Sequence, residues 1–219
     1  MPRIRLTMAV VLVFALSAPA AFACSRGYSY AGVYAPRRAS GVAATLSMLD
    51  DPSVSAGHVA AWVGVGGLGL GPNGADEWLQ VGLASFPGSA EGHLYYELAR
   101  PGHEPQYTEL GSGITPGERV RVALLELPFA RDTWVVVSNA GIAGPFYLPR
   151  SHRAWAPIAT AESWDAGRTQ CNRYAYRFEG VQLSQRDGSW KPLRHGLKLQ
   201  DPGWRLHRTT TSTFSVTAA

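Results

Sequence analysis

Few side chains in this 219-residue sequence could do chemistry, and spacing alone sets most common site types aside. The six histidines (His58, His93, His103, His152, His195 and His207) fall at no metal-ligand spacing, and no H-E-x-x-H occurs. No G-x-S-x-G elbow presents a nucleophilic serine, and Cys24 and Cys171 make no C-x-x-C pair. Gly64-Val65-Gly66-Gly67 has the look of a phosphate loop, but no helix pattern follows and no Gly-Lys-Ser/Thr closes it. No metal and no cofactor are expected. What remains is a set of acids and one amide, Glu97, Glu162 and Gln80, in a sequence rich in Trp and Tyr. Two carboxylates across a groove could hydrolyse a glycosidic bond, with Glu97 and Glu162 as the pair and their separation setting the stereochemistry.

The elements that must position these groups read as strands. No helical period lasts beyond about two turns, whereas short β-rich runs bounded by Gly, Pro and Asp recur. The runs are Tyr28–Tyr34, Val42–Met48, His58–Val65, Trp78–Ala84, His93–Ala99, Arg119–Leu127, Thr133–Ser138, Phe146–Leu148, Pro157–Trp164, Tyr174–Leu183, Gly196–Leu199 and Arg205–Val216. The Gly-rich stretch to Gly74 reads as a long hairpin loop. Such a series predicts one all-β domain, a β-sandwich or jelly roll, over residues 24–219.

Strand parity then sorts the side chains. Leu79, Val81 and Leu83 oppose Trp78, Gln80 and Gly82; Leu94, Tyr96 and Leu98 oppose His93, Tyr95 and Glu97. Ala61, Val63 and Val65 oppose Trp62, Gly64 and Gly66, while Ala159 and Ala161 oppose Ile158, Thr160, Glu162 and Trp164. The aliphatic faces must be core. If these strands share a sheet, its other face collects Trp62, Trp78, Gln80, His93, Tyr95, Glu97, Glu162 and Trp164. Gly64, Gly66 and Gly82 would leave space there for a ligand to approach the backbone. An aromatic floor with few polar groups suits an extended polymer.

The same residues carry a family resemblance. Ala61-Trp62-Val63-Gly64-Val65-Gly66-Gly67, then Leu79-Gln80-Val81-Gly82, then Tyr95-Tyr96-Glu97, then Ile114 with Gly117, resembles the eqolisins. These are glutamic peptidases with a jelly-roll sandwich related to the concanavalin-like fold. Their pattern runs A-W-V-G-[IV]-x-G, L-Q-x-G, W-Y-E-W and G-D, followed by a strand ending in a catalytic Glu. The resemblance assigns Gln80 and, 82 residues later, Glu162 as the catalytic pair. It implies that Glu162 acts as general base on a water, that Gln80 holds the water and stabilises the oxyanion, and that Trp62, Trp78, Tyr95 and Glu97 bind an extended peptide. It also implies activity in acid, and that Glu97 beside Glu162 could share a proton with it. The sequence departs from the pattern at Gly66, where an acid neighbouring the Gln is usual, and at Tyr95, where the pattern has Trp.

Composition bounds the setting. The chain is 46% hydrophobic and 16% charged, which excludes a disordered protein. Arg3 and Arg5, the apolar run Met8 to Ala20 and Ala21-Phe22-Ala23 read as a secretory signal peptide over residues 1–23, the apolar run being too short to span a bilayer. A secreted or periplasmic location follows. With those residues removed, 18 basic against 16 acidic residues leave +2, too little to suggest nucleic acid as partner. In an exported chain Cys24 and Cys171 are expected to form a disulfide, contributing about 4–5 kcal/mol in the chain-entropy model. A lipid on Cys24, anchoring the chain to a membrane, is the alternative, although Ala21 stands where such a signal has Leu. A monomer is expected. The leading expectation is thus an exported acid-active glutamic endopeptidase with a polypeptide substrate. A non-catalytic sandwich module binding peptide or glycan, and a glycosidase using Glu97 and Glu162, stay open.

Overall fold

The computed structural model describes residues 27–167, 171–185 and 187–218. The expected signal segment, and Cys24 of the expected disulfide, lie outside the described residues. Alternating small or aliphatic residues with bulky or polar ones produces two antiparallel sheets packed face to face. The first runs, edge to edge, β13 (Leu197–Gln200), β1 (Tyr28–Tyr34), β10 (Ile158–Trp164), β3 (His58–Gly67), β4 (Glu77–Ser85), β5 (Gly92–Ala99) and β6 (Gln106–Ile114). The second runs β14 (Trp204–Arg208), β15 (Phe214–Ala218), β11 (Ala175–Ser184), β2 (Gly41–Met48), β7 (Val120–Glu126), β8 (Thr133–Ser138) and β9 (Gly141–Tyr147), with β12 (Trp190–Pro192) paired to β11. The fold is an all-β sandwich. No helix among the described residues is long and apolar enough to cross a membrane.

The faces expected to be core are core. Leu79, Val81 and Leu83, with Ala61 and Val63, are completely buried against Val122, Leu124, Val136, Tyr176 and Phe178 of the second sheet. Each such aliphatic side chain contributes roughly 1.5–3 kcal/mol. This ties the first sheet's inner face down and leaves its outer face to carry Trp62, Gln80, Tyr95 and Glu162. The strands holding these residues, β10, β3, β4 and β5, are all interior to the sheet, so both edges of each are hydrogen-bonded.

The observed strands differ from the expected ones in places. Arg205–Val216 is not one strand but the hairpin β14–β15, because Ser212 and its neighbours turn the chain between Arg208 and Phe214. The strand expected at Phe146–Leu148 is the end of a longer one that begins at Gly141. β6 carried no signal: its sequence, QYTELGSGI, has a single buried residue, Ile114, as suits an edge strand. The Gly-rich stretch does join a hairpin, but β3 persists to Gly67 before the loop and its single turn at Pro72–Gly74.

Candidate active site

Register turns the outer face into a grid. Trp62 pairs with Gly82 and with Thr160, Gly64 with Gln80 and with Ile158, Glu162 with Ala60 and with Tyr30, and Gln80 with Glu97. Glu162 and Gln80 therefore stand two strands apart and four residues offset along the sheet. Both line one cavity of about 560 Å³, together with Tyr28, Tyr30, Trp62, Trp78 and Glu97. No hydrogen bond joins Gln80 to Glu162; each is held by an aromatic neighbour instead.

Glu162 is 5% exposed and both its oxygens are engaged. The Trp62 indole Nε1 donates to Oε2 at 3.1 Å, and His58 Nε2 lies 2.8 Å from Oε1. Trp62 reaches across because Gly64, two residues on, has no side chain: a Cβ there would sit 2.8 Å from the indole Cζ3 and 3.2 Å from Gln80 Cβ. The space expected at Gly64 for a ligand is thus occupied by the protein's own indole. Gly82 serves the same residue, since a Cβ on it would meet Trp62 Cα at 2.7 Å.

Gln80, 6% exposed, donates from Nε2 to the Tyr95 hydroxyl at 3.0 Å. Tyr95 is 3% exposed and stacks on Tyr107 at 5.0 Å between ring centres. It lies behind Gln80 and is not among the residues lining the cavity, whereas Trp62, Trp78 and Glu97 are. Gly66 adopts φ of +82°, a left-handed conformation that disfavours a side chain, and a Cβ would run into the backbone of Glu77 and Trp78. The acid usual at Gly66 in the pattern has no place here, and the Tyr95 hydroxyl supplies the polar partner of Gln80.

Glu97 accepts from the Trp78 indole at 2.8 Å. It makes no hydrogen bond to Glu162, three strands away, so the two do not share a proton. Burial pushes the Glu97 carboxyl above its usual range, the Trp78 bond opposes this, and the Glu162 charge adds to the rise. The same charges, after burial, raise the hydroxyls of Tyr28 and Tyr30, which stay neutral at the cleft wall.

His58 was absent from the sequence-based site, yet it contacts Glu162 directly. Parity could have found it: His58 opens β3 on the side of Trp62, four residues earlier. Around it runs an aromatic band, with His58 to Trp164 at 5.7 Å, Trp164 to Tyr28 at 5.9 Å and His58 to Phe86 at 6.4 Å between ring centres. The described residues contain no cluster of three or more His, Cys, Asp or Glu able to hold a metal ion.

Two antiparallel sheets packed face to face, with Glu162 and Gln80 on one outer face, make this chain an all-β sandwich. Among solved structures, the chain is similar to scytalido-glutamic peptidase bound to a transition-state analogue inhibitor, with a TM-score of 0.56 and 16% identity over 88% of this chain and 98% of that one. It is also similar to SCP-B, an eqolisin-family peptidase in complex with the tripeptide Ala-Ile-His, with a TM-score of 0.53 and 14% identity over the same shares. No protein-family model matches the sequence, and no curated protein does. At these identities the likeness is one of fold.

Proposed function

We propose that this chain is an exported, acid-active glutamic endopeptidase. Glu162 takes a proton from a water, the resulting hydroxide attacks the scissile carbonyl, and the Gln80 amide donates a hydrogen bond to the oxyanion. Glu162 then returns its proton to the departing nitrogen, leaving a carboxylic acid and an amine. Trp62 and His58 hold the carboxylate in place, Tyr95 orients the amide, and Trp78 with Glu97 borders the bound peptide. The observation carrying this reading is that Glu162 and Gln80, a carboxylate and an amide two strands apart in one sheet, line the same cavity, Glu162 held by Trp62 and His58 and Gln80 by Tyr95. The signal segment supports export, and Cys24 pairs with Cys171 in this reading.

The test is hydrolysis of denatured casein between about pH 2 and 7 by wild type, Gln80→Ala and Glu162→Gln. Acid-peaked cleavage lost in both variants, with melting temperatures unchanged, is the expected result. Removing an oxyanion donor costs roughly 100- to 1,000-fold in kcat, and removing the base costs at least as much. No cleavage by wild type at any pH sinks the proposal. One observation favours a second reading, a non-catalytic peptide- or glycan-binding module: both oxygens of Glu162 are already engaged by the protein. That reading expects ligand affinity to survive Glu162→Gln.

A further inference from the structure

At the Ile158 end of the cleft the chain builds a second, differently charged cavity. Tyr34 pairs with Ile158, and the amide of Ala35 donates to the carbonyl of Pro157 at 2.8 Å, so the segments flanking β1 and β10 leave the sheet together. Those segments and the β11–β12 turn enclose about 1030 Å³, lined by Arg37, Arg38, Arg153 and Lys191. A smaller cavity of about 350 Å³ adjoins it, sharing Arg37 and Lys191 and adding Arg194. Five cations thus converge in a chain whose formal charge without residues 1–23 is only +2.

The four arginines among these cations have no ion-pair partner and no side-chain hydrogen bond among the described residues; the arginines that have one are Arg119, Arg177 and Arg208. Among the described residues Asp187 is the one acid lining the larger cavity; its Oδ1 accepts from the hydroxyl and amide of Ser189, at 2.6 and 3.0 Å, and its charge acts on Lys191, leaving the arginines without a carboxylate partner. Arg153 stands at φ of +52°, a left-handed conformation that an arginine adopts at a cost. Crowding like charges without internal partners raises the local potential, and a bound anion relieves it.

We propose that this cavity is an exosite for an acidic segment of a polypeptide substrate, a proposal that rests on the peptidase reading. The cavity is too large for a single oxyanion, and guanidinium forks match carboxylates in pairs. Its position names the polymer. Ile158 lines the cleft and Ala156, two residues earlier, lines the basic cavity, so at most about 7 Å of chain separates the two and a peptide leaving the cleft past Ile158 meets the rim of the basic cavity.

Binding of a fluorescein-labelled hexaglutamate peptide at pH 6.5 tests it, read by anisotropy with wild type, Glu162→Gln and the double variant Arg37→Ala/Arg153→Ala. Wild type and Glu162→Gln are expected to bind alike, with affinity falling as salt rises, and the double variant about tenfold more weakly, two exposed ion pairs each accounting for a few-fold. Both substituted arginines are exposed, and thermal melts verify that the fold is kept. No binding by wild type, undiminished binding by the double variant, or tighter binding of a sulfated dextran oligosaccharide than of hexaglutamate overturns the proposal, the last assigning the cavity to a glycan. Peptide substrates with and without an acidic tail supply the second arm. The double variant should raise KM for the tailed peptide alone and leave kcat unchanged. If no peptide is cleaved while hexaglutamate binding still depends on the arginines, the peptidase reading falls and the anion site stands.

Discussion

At the residue scale, the site compensates for a missing side chain. Gly66 cannot carry the acid that the resembled pattern places near the glutamine, because its φ of +82° and the backbone of Glu77 and Trp78 exclude a side chain. The Tyr95 hydroxyl accepts from Gln80 in its stead. Tyr95→Phe removes one oxygen from a buried ring and leaves the packing intact, so its stability cost is about 1 kcal/mol, that of one hydrogen bond. It frees the Gln80 amide to rotate, and kcat on a casein-derived peptide is expected to fall about tenfold with KM little changed. An unchanged kcat would show that Gln80 needs no such partner. The sequence alone marked Gln80, Tyr95 and Glu162 as sharing a face. Which of them touch depends on register, and the contact of His58 with Glu162 is the clearest case: the two are 104 residues apart in the chain.

At the element scale, the β3–β4 hairpin matters most, since it carries Trp62, Trp78 and Gln80. Parity along β3 and β4 was legible because strand side chains alternate with a period of two, a purely local property. The ends of the strands were less so. β3 was expected to stop at Val65 but pairs onward, Gly66 with Trp78 and Gly67 with Glu77, because glycine accepts the positive φ that closes the ladder into its loop. Gly66→Ala should therefore lower stability by more than the about 1–2 kcal/mol of a left-handed alanine, since its Cβ would also press on the backbone of Glu77 and Trp78, visible as a lower midpoint in urea unfolding. A neutral effect would mean that the hairpin can close with ordinary backbone angles. β6 is not legible in the sequence for the opposite reason: at the sheet's edge little of it is buried, so no hydrophobic alternation marks it.

At the scale of the whole molecule, one buried charge links stability to pH. Glu77 lies on the core side of β4 with Leu79 and Val81, is fully buried, and neither carboxylate oxygen has a hydrogen-bond partner. Burial, reinforced by the charge of Asp132 and opposed by Arg100, pushes its pKa from 4.5 up to about 7. The folded state thus holds the proton more tightly than the unfolded one. Its contribution to stability is fully present below pH 4.5 and is lost as pH rises through about 7. Glu77→Gln keeps the shape and cannot ionise. It is expected to raise the melting temperature by several degrees at pH 8 and leave it unchanged at pH 4; an equal gain at both would refute the account. The contribution of Glu77 is thus retained at the acid pH of the proposed activity.

Local chemistry was enough to determine the strand faces, the sandwich and the set of residues that looks outward, because alternation and turn residues act over a few positions. Tertiary structure alone decided the rest. The pairing of Glu162 with His58 and Trp62 and the meeting of Arg37, Arg153 and Lys191 in one cavity join segments far apart in sequence, and the support of Gln80 by Tyr95 depends on the register of neighbouring strands. Their alignment is set by register and by the packing of two sheets, where the burial of inner-face side chains selects one arrangement among many that satisfy the same local pattern.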